Sequence, residues 1–330
     1  MRRALAAALL GPEVDPNPRV GCVLTDAFGQ VVGVGHHRGA GTPHAEVDAL
    51  RQAGEAARGG AAYVTLEPCD HTGRTGPCSL ALIEAGITQV RYAVADPGAR
   101  AGGGAARLAA AGIEAAPGPL ATDAEAINRT WLFAARTGRP FVTWKSASTL
   151  DGKVAARDGS SRWITGAAAR AQAHALRARC GAVVVGTGTA LADDPELTVR
   201  GPDGQPTPAQ PLRVVVGTRD LPEAARVRDD AAPTLLLSTH DPAAALAAIG
   251  ERGIHHVLLE GGPTLAAAFV AAGLVDEFVA YLAPALLGAG PAVLADLGIT
   301  TITDALRFEI TDAAIVGGDV RVTARPQRRR

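Results

Sequence analysis

Three short segments, His44-Ala45-Glu46, Pro68-Cys69 and Pro77-Cys78, contain one histidine, one glutamate and two cysteines near the start of the chain. A histidine nitrogen and two thiolates are good ligands for Zn²⁺, and three protein ligands leave a fourth position open for water. That arrangement is typical of a catalytic zinc site, in which the metal lowers the pKa of the water to about 7. The segments therefore predict a zinc centre formed by this histidine and these two cysteines.

The position of Glu46, two residues after His44, indicates a proton carrier. Zinc-dependent deaminases contain an H-x-E motif followed by P-C-x-x-C, and their glutamate acts as acid and base without binding the metal. We therefore expect Glu46 to take a proton from water and to pass it to departing ammonia. Cys69 and Cys78 have a longer C-x8-C spacing. This departure argues against an ordinary cytidine or tRNA-adenosine deaminase, which keeps the short spacing.

Two other interpretations of these residues stay open. His71 lies between the two cysteines and would complete a closed structural zinc site as a fourth ligand. Alternatively, the spacing is a coincidence and no metal binds. A structural metal has no need of Glu46, which favours the catalytic interpretation.

The composition is that of a globular protein. The chain has 330 residues, of which 47% are hydrophobic and 20% charged, and its net charge is −1. This length predicts two domains, and a net charge near zero gives no basis for a nucleic-acid partner. Cys22 and Cys180 stand in apolar runs and are predicted to be buried. Metal-binding thiols need a reducing compartment, so we expect a cytoplasmic protein.

No segment is predicted to cross a membrane. Residues 4–10 are apolar, but Glu13 and Asp15 follow closely, so an amphipathic helix is predicted there instead of a signal peptide. The uncharged run 278–295 is interrupted by two prolines and two glycines, which exclude a membrane-spanning helix.

Strand and helix patterns alternate along the first half, which predicts a largely parallel sheet covered by helices. The predicted strands are 20–25, 31–35, 62–66 and 89–95, and the predicted helices are 45–54, 78–85, 104–111 and 122–136. The last of these helices is predicted to be capped by Thr122, with Glu125 three residues later. A domain boundary is predicted at Thr137-Gly138-Arg139-Pro140. In the second half a helix is predicted at 167–178, and strands at 141–147, 183–185, 213–216, 234–237, 256–259, 277–283 and 319–324.

Two glycine-bearing turns follow predicted strands of the second half. They are Gly186-Thr187-Gly188-Thr189 and Glu260-Gly261-Gly262-Pro263-Thr264-Leu265. Glycines in such turns let a phosphate approach backbone N–H groups at a helix N-terminus. Neither turn matches G-x-G-x-x-G, so a Rossmann fingerprint is excluded. On the residues alone, a nucleotide site and a pair of tight turns both stay open.

The zinc motif and its surroundings resemble the deaminase half of the bifunctional deaminase–reductases of riboflavin biosynthesis. The resemblance lies in Asp15-Pro16-Asn17-Pro18-Arg19-Val20-Gly21, in His44-Ala45-Glu46-Val47 and in the stretch from Glu67 to Cys78 with its C-x8-C spacing. The chain has Asp70 and Gly76 where the family usually has Ser and Pro. The resemblance implies that Asn17 contacts the pyrimidine, and that His37 and Arg74 hold the ribose and phosphate of the substrate.

The second half resembles the reductase domain of the same family, which is similar in fold to dihydrofolate reductase and uses NADPH. The matching segments are Lys145 with Thr149-Leu150-Asp151-Gly152, Trp163-Ile164-Thr165, Ala192-Asp193-Asp194-Pro195 and Glu260-Gly261-Gly262-Pro263-Thr264. The resemblance implies an NADPH site lined by Ala147, Trp163, Thr189, Asp193, Thr218 and the turn from Gly262, Pro263, Thr264 and Leu265 to Ala268. Arg219 is a further candidate to bind the 2′-phosphate.

The same resemblance implies a substrate site lined by Ser161, Arg177, Leu197, Arg200 and Glu260. Arg177 and Arg200 are suitable phosphate ligands, because a guanidinium group binds phosphate through two parallel hydrogen bonds. Lys145 is a candidate proton donor during the reduction.

The sequence thus predicts an α/β enzyme with two domains. Residues 1–139 are expected to form a cytidine-deaminase-like three-layer domain, and residues 140–330 a dihydrofolate-reductase-like domain with a mixed sheet. By resemblance, the first removes the 2-amino group of 2,5-diamino-6-(5-phosphoribosylamino)pyrimidin-4(3H)-one, and the second reduces the ribosyl chain of the product to ribityl with NADPH.

The predicted partner is this small phosphoribosylaminopyrimidine, with no nucleic acid and no membrane, and a homo-oligomer stays open. Two alternatives also remain at this point: a deaminase of another free pyrimidine nucleotide, and a non-catalytic regulatory protein that binds zinc and a nucleotide.

Overall fold

The chain divides into two compact units, an N-terminal unit of Met1–Gly138 and a C-terminal unit of Arg139–Arg330. The computed structural model describes residues 1–72, 76–98, 102–201 and 203–327. Among these residues, the helices are all too short or too polar to span a lipid bilayer.

The N-terminal unit contains six helices and five strands in its described part. The helices are α1 (Arg2–Ala8), α2 (Ala45–Ala53), α3 (Cys78–Glu84), α4 (Gly104–Ala110), α5 (Ala121–Ile127) and α6 (Arg129–Thr137), with a 3-10 turn at Gly54–Ala57. The strands are β1 (Gly21–Thr25), β2 (Val31–His36), β3 (Ala61–Val64), β4 (Gln89–Tyr92) and β5 (Glu114–Pro117), in the order β2-β1-β3-β4-β5.

The sheet of the N-terminal unit is mixed, so the prediction of a largely parallel sheet was wrong. β3, β4 and β5 run parallel, but β1 is antiparallel to both β2 and β3. The short turn between β1 and β2 explains the difference, because a few residues can join only antiparallel neighbours. Asp26 stabilises this turn by accepting hydrogen bonds from the backbone N–H groups of Phe28 and Gln30.

Helices pack on both faces of this sheet, which confirms the predicted three-layer arrangement. Gly35 of β2 lies opposite Cys22 of β1 and faces α2, with no room for a Cβ beside the carbonyl of Ala45. Gly21, on the other face of β1, is equally close to the backbone of α1. The close approach of α2 fixes where its first turn lies, and that turn carries His44 and Glu46.

The predicted helix 122–136 is two helices, α5 and α6, divided at Asn128. The side chain of Asn128 accepts a hydrogen bond from the N–H of Arg19 and donates one to its carbonyl, both at 2.8 Å. This contact between residues far apart in the sequence explains why one continuous helical pattern forms two helices. The cap prediction was also wrong, because α5 begins after Leu120 and Thr122 lies inside it.

The C-terminal unit is built on one sheet of eight strands. The strands are β6 (Phe141–Thr149), β7 (Ala182–Gly186), β8 (Leu212–Val216), β9 (Thr234–Leu237), β10 (His256–Leu259), β11 (Glu277–Ala283), β12 (Phe308–Val316) and β13 (Asp319–Pro326). The helices are α7 (Ala167–Ala178), α8 (Thr187–Asp193), α9 (Pro242–Gly250) and α10 (Pro263–Ala271), with 3-10 turns at Arg226–Arg228 and Ile302–Asp304.

This sheet is mixed, as predicted, in the order β12-β13-β11-β6-β10-β7-β8-β9. The six strands from β11 to β9 run parallel, and β13 and β12 add an antiparallel edge. Valine and leucine fill the central strands, and Trp144 stacks on Phe278 with ring centroids 4.1 Å apart. Because the parallel strands end at one edge, the turns after β6, β7, β8 and β10 meet there.

Candidate functional site

The three predicted metal ligands come together in the N-terminal unit. His44 immediately precedes α2, Cys78 is the first residue of α3, and Cys69 lies in the loop after β3. The Nδ1 of His44 is 3.2 Å from the Sγ of Cys78 and 3.4 Å from the Sγ of Cys69. All three ligand atoms lie within 4.8 Å of one another. One nitrogen and two sulfurs in such a group suit a single Zn²⁺ ion.

The group has three members in the part of the chain that the structure describes, and His71 is not one of them. The Nδ1 atom of His71 is buried and has no hydrogen-bond partner among the described residues. A structural zinc site usually closes with a fourth cysteine or histidine. The arrangement therefore favours the open, three-ligand site over the structural alternative.

The pKa values of the two cysteine thiols are shifted in opposite directions. The hydrogen bond from Cys78 lowers the pKa of Cys69 to about 4 against the opposing effect of burial, and His44 lowers it further. The same hydrogen bond to Cys69, together with burial, raises the pKa of Cys78. Cys69 is therefore the thiol that loses its proton more readily, and binding a cation would favour release of the proton from Cys78 as well.

Glu46 lies in the first turn of α2 with only 3% of its surface exposed. Burial, with a smaller contribution from the negative charge of Cys69, raises the pKa of its carboxyl group to about 7. A group with this pKa both accepts and donates protons at neutral pH, which is what acid–base catalysis requires.

Asn17 and His37 form a short hydrogen-bonded chain. The Nδ1 of His37 contacts the carbonyl of Pro43 at 3.0 Å, and a carbonyl only accepts, so Nδ1 carries the proton. The Nε2 of His37 then accepts from the Nδ2 of Asn17 at 3.1 Å. This assignment leaves the side-chain oxygen of Asn17 available as an acceptor for a ligand N–H group. The ring of His37 lies edge-on to that of His44, with centroids 5.5 Å apart, so the chain adjoins the metal ligands. Arg74 lies outside the described residues.

A cleft of about 700 Å³ opens at the carboxyl edge of the sheet in the C-terminal unit. Eleven residues predicted from the sequence line it: Lys145, Ala147, Ser161, Thr189, Asp193, Glu260, Gly262, Pro263, Thr264, Leu265 and Ala268. Arg219, the candidate for the 2′-phosphate, also lines it. Sequence reasoning missed several others, among them Trp144, Val154, Ala155, Val216, Gly217, His240, Pro291 and Val293. Most of these are apolar or lie in loops, and only the positions of Val216 and Gly217 at a strand end pointed to the cleft.

Glycines bring the backbone to the wall of this cleft. Gly262 precedes α10, and its N–H donates to the Oγ1 of Thr189 at 3.0 Å. A Cβ at Gly262 would lie 3.0 Å from the same oxygen. Gly217 has a φ of +138°, and a Cβ there would lie 2.5 Å from the Oγ1 of Thr187. Both positions therefore favour glycine for a structural reason.

Glu260 is the centre of a buried ion cluster in the cleft. Arg177 donates to it from Nε at 2.6 Å and from Nη2 at 3.0 Å, and the Nζ of Lys145 is 3.8 Å from its Oε2. Burial alone would raise the pKa of Glu260, but the charges of Arg177 and Lys145 outweigh it and lower the pKa to about 2. Glu260 is therefore an anion that holds two cations at the cleft.

Five predicted residues are not among those that line the cleft. Arg177 is engaged by Glu260, and Arg200 is paired with Glu196, so a phosphate role for either requires an exchange of partners and stays a prediction. The other three residues are in different settings. Leu197 is buried, Trp163 is 70% exposed with the guanidinium of Arg170 over its ring, and Thr218 contacts His240 beside the cleft at 3.1 Å.

Comparisons with known proteins match the two parts of the chain to two different protein families. Residues 1–94 match the model of the cytidine and deoxycytidylate deaminase zinc-binding region, and residues 140–322 match the RibD C-terminal domain. The riboflavin biosynthesis protein RibD of Mycobacterium tuberculosis is 52% identical over 92% of this chain and 90% of that protein. The Escherichia coli protein of the same name is 40% identical, over 97% and 96%.

Solved structures are similar over almost the full length. RibD of Acinetobacter baumannii superimposes with a TM-score of 0.89 at 39% identity, covering 99% of this chain and 98% of that one. A diaminohydroxyphosphoribosylaminopyrimidine deaminase/5-amino-6-(5-phosphoribosylamino)uracil reductase from Thermotoga maritima gives 0.87 at 32% identity, covering 99% and 97%.

Proposed function

The chain belongs to the RibD family of riboflavin biosynthesis proteins, which are bifunctional deaminase–reductases, and we propose from this how its residues divide the two reactions. Residues 1–139 would form the deaminase domain and residues 140–330 the reductase domain. The proposed substrate is 2,5-diamino-6-(5-phosphoribosylamino)pyrimidin-4(3H)-one, which is deaminated and then reduced to 5-amino-6-(5-phosphoribitylamino)uracil. The observation that carries the proposal is the buried carboxyl of Glu46 beside three converging zinc ligands.

His44, Cys69 and Cys78 would hold the zinc ion. When bound, zinc supplies a water acidic enough to act as a nucleophile near neutral pH. Glu46 accepts a proton from that water and delivers it to the departing amino group, so that oxygen replaces nitrogen on the ring and ammonia leaves. The free side-chain oxygen of Asn17 accepts a hydrogen bond from a ring N–H, and His37 keeps that oxygen facing the substrate.

The reduction of the ribosyl chain takes place in the cleft of the C-terminal unit. NADPH supplies the reducing equivalents, and Lys145 is the proposed donor of the accompanying proton. The carboxylate of Glu260 lies 3.8 Å from the Nζ atom of Lys145 and holds the side chain at the cleft. The side chain of Lys145 is partly buried on the wall of the cleft.

The proposed NADPH site is lined by Ala147, Thr189, Asp193 and the turn from Gly262 to Leu265, with Trp163 as a proposed contact outside the cleft lining. Phosphate groups would lie against the backbone N–H groups at the start of α10, where the glycine leaves room for them. The proposed substrate residues of this unit are Ser161, Arg177, Leu197, Arg200 and Glu260, and those of the N-terminal unit are Asn17, His37 and Arg74.

Three groups in or beside the cleft suit the 2′-phosphate of NADPH. Arg219 lines the cleft and has no ion-pair partner within the described ranges, so its charge is available to a ligand. Thr218 and His240 stand beside it, with Oγ1 and Nε2 3.1 Å apart. A guanidinium group, a hydroxyl and an imidazole together offer several donors to a phosphate dianion.

Family membership decides against a non-catalytic regulatory protein. A cytoplasmic location and a homo-oligomeric state stay predictions, and the partner of the enzyme is proposed to be the small phosphoribosylaminopyrimidine alone.

Turnover of the proposed substrate tests the function. Purified zinc-loaded protein should release one ammonia per diaminopyrimidine without NADPH, and should oxidise one NADPH per product when the cofactor is added. Cytidine monophosphate serves as the matched control. Ammonia release from cytidine monophosphate at a comparable rate would favour the alternative of a deaminase for other free pyrimidine nucleotides.

A further inference from the structure

The residues that directly follow the two cysteine ligands in the chain are joined to each other. Asp70 follows Cys69, and Ser79 follows Cys78. The Oγ of Ser79 donates a hydrogen bond of 2.6 Å to the Oδ1 of Asp70. The backbone N–H of Ser79 also donates to the carbonyl of Cys69 at 3.2 Å. Two hydrogen bonds therefore bridge the loop that carries one ligand and the helix that carries the other.

A second helix, α4, holds Asp70 from its other side. Arg107, in the middle of α4, forms an ion pair with the same Oδ1 atom of Asp70. The first turn of α4 lies against the same loop, because the N–H of Ala105 donates to Glu67 at 3.0 Å. Gly104 is so close to a backbone carbonyl of this loop that a Cβ would not fit. The loop 67–70 is thus fixed between α3 and α4.

The hydrogen bond between Ser79 and Asp70 is well shielded, because Ser79 is fully buried. The side chain of Asp70 is 18% exposed and that of Arg107 is 45% exposed. An ion pair of this exposure alone adds little stability. This carboxylate also accepts a hydrogen bond from a buried hydroxyl, so it joins three segments of the chain in one polar network.

We propose that Asp70 is a positioning residue of the zinc centre, whose carboxylate keeps Cys69 and Cys78 at the separation that the metal requires. The inference rests on the proposed function, because it requires zinc at His44, Cys69 and Cys78. Asp70 touches neither metal nor substrate and acts through the backbone next to the ligands. Groups that orient metal ligands in this way typically change metal affinity by about 10- to 100-fold when they are lost.

Graded substitutions separate the two contacts of the carboxylate. Asp70→Asn keeps an oxygen that can accept from Ser79 but loses the charge attraction to Arg107. Arg107→Ala keeps the Ser79 bond and removes the ion pair, whereas Asp70→Ala removes both. Arg58→Ala is the matched control, because it breaks an exposed Arg58–Glu55 pair elsewhere in the same unit.

Zinc transfer from the full-length, zinc-loaded protein to the chelator 4-(2-pyridylazo)resorcinol measures how firmly the ligands hold the metal. Asp70→Ala should release zinc about 10- to 100-fold faster than wild type, with Asp70→Asn and Arg107→Ala in between and Arg58→Ala unchanged. In cobalt-loaded protein, the thiolate-to-metal absorption bands should shift in Asp70→Ala and return toward wild type in Asp70→Asn. A purely structural role for Asp70 would leave these bands unmoved.

Release from Asp70→Ala within about twofold of wild type, with an unchanged cobalt spectrum, would overturn the proposal. If Asp70→Ala does not fold, zinc release from Arg107→Ala is measured instead. A release rate equal to that of wild type in Arg107→Ala would also overturn the proposal. A wild-type protein that binds no zinc would instead contradict the proposed function, so the two failures are distinguishable.

Discussion

The guanidinium of Arg177 donates two hydrogen bonds to the carboxylate of Glu260, from Nε to Oε1 at 2.6 Å and from Nη2 to Oε2 at 3.0 Å. Arg177 comes from α7 and Glu260 follows β10, so the pair connects the helix layer to the edge of the sheet at the cleft. The pair orders the wall of the cleft before any ligand binds.

Glu260→Gln should make stability less dependent on pH. The pKa of Glu260 is lowered to about 2 in the folded protein, so its carboxylate contributes stability above its unfolded pKa and loses it as pH falls toward 2. The difference in unfolding free energy between wild type and Glu260→Gln should therefore shrink below about pH 4.5, by a total on the order of 3 kcal/mol. Urea denaturation followed by tryptophan fluorescence at several pH values measures it.

The matched control for this experiment is Asp312→Asn in the same unit. Asp312 also pairs with an arginine, Arg321, but its side chain is 52% exposed. Its removal should change the pH dependence very little, because solvent screens an exposed pair. A difference between wild type and Glu260→Gln that stays constant from neutral to acidic pH would contradict the ion cluster.

Cys69→Ser should abolish stoichiometric zinc binding, because a hydroxyl is a poor replacement for the thiolate and only two good ligands remain. Metal analysis after gel filtration gives the zinc content per chain. Cys180→Ser removes a buried cysteine of the C-terminal unit that is not part of the ligand group, and it should retain one zinc. Full zinc occupancy in Cys69→Ser would remove Cys69 from the metal site.

Glu46→Gln should keep zinc and lose deamination by about 10²- to 10⁴-fold, since the amide has the shape of the acid but cannot transfer its proton. Ammonia release and zinc content are measured on the same preparation. Asp48→Asn is the control, because Asp48 lies in the same turn of α2 but pairs with Arg38 instead of facing the ligands. Near-normal ammonia release from zinc-loaded Glu46→Gln would mean that another group carries the proton.

Arg219→Ala should weaken binding of NADP⁺ by about 10- to 100-fold and leave binding of NAD⁺ almost unchanged, because only NADP⁺ has the 2′-phosphate. Calorimetric titration with each nucleotide measures both affinities without turnover. Arg252→Ala removes a charge near the end of α9, away from the residues that line the cleft, and should bind like wild type. Equal losses for both nucleotides would show that Arg219 supports the cleft without reading the 2′-phosphate.

The zinc ligands were predictable because their chemistry is local. His44 and Glu46 are two residues apart, and the two cysteines each follow a proline in a short motif, so sequence spacing alone indicated the site. The boundaries of most strands also followed from apolar runs. β12 was missed, because six of its nine positions are exposed in this edge strand and polar residues interrupt its first half.

The rest depends on partners that are distant in sequence. Asn128 interrupts a helical pattern because it binds Arg19, and the antiparallel β1 is fixed by pairing with β3 as well as β2. His240 reaches the cleft only because β9 and β8 are neighbours in the sheet. Asp70 connects two helices through Ser79 and Arg107, and nothing in its own segment reveals that connection.

Each of the two reactions is proposed to have its own active site, one in each compact unit of the chain. Gly262→Asp adds a side chain and a negative charge where the structure leaves room only for backbone beside Thr189. It should abolish reduction while ammonia release continues. Conversely, Glu46→Gln should still oxidise NADPH when it is given the already deaminated pyrimidine. Gly318→Asp is the control, since a Cβ at Gly318 meets open space, and it should retain both activities.

Ammonia release and NADPH absorbance, followed separately for these three variants and wild type, distinguish two separate sites from one shared site. With the diaminopyrimidine supplied in the ammonia assay and the already deaminated pyrimidine in the NADPH assay, Gly262→Asp should lose only the NADPH signal, Glu46→Gln only the ammonia signal, and Gly318→Asp neither. Loss of both signals from Gly262→Asp or Glu46→Gln under these conditions, in a protein that remains folded by circular dichroism, would contradict two separate sites.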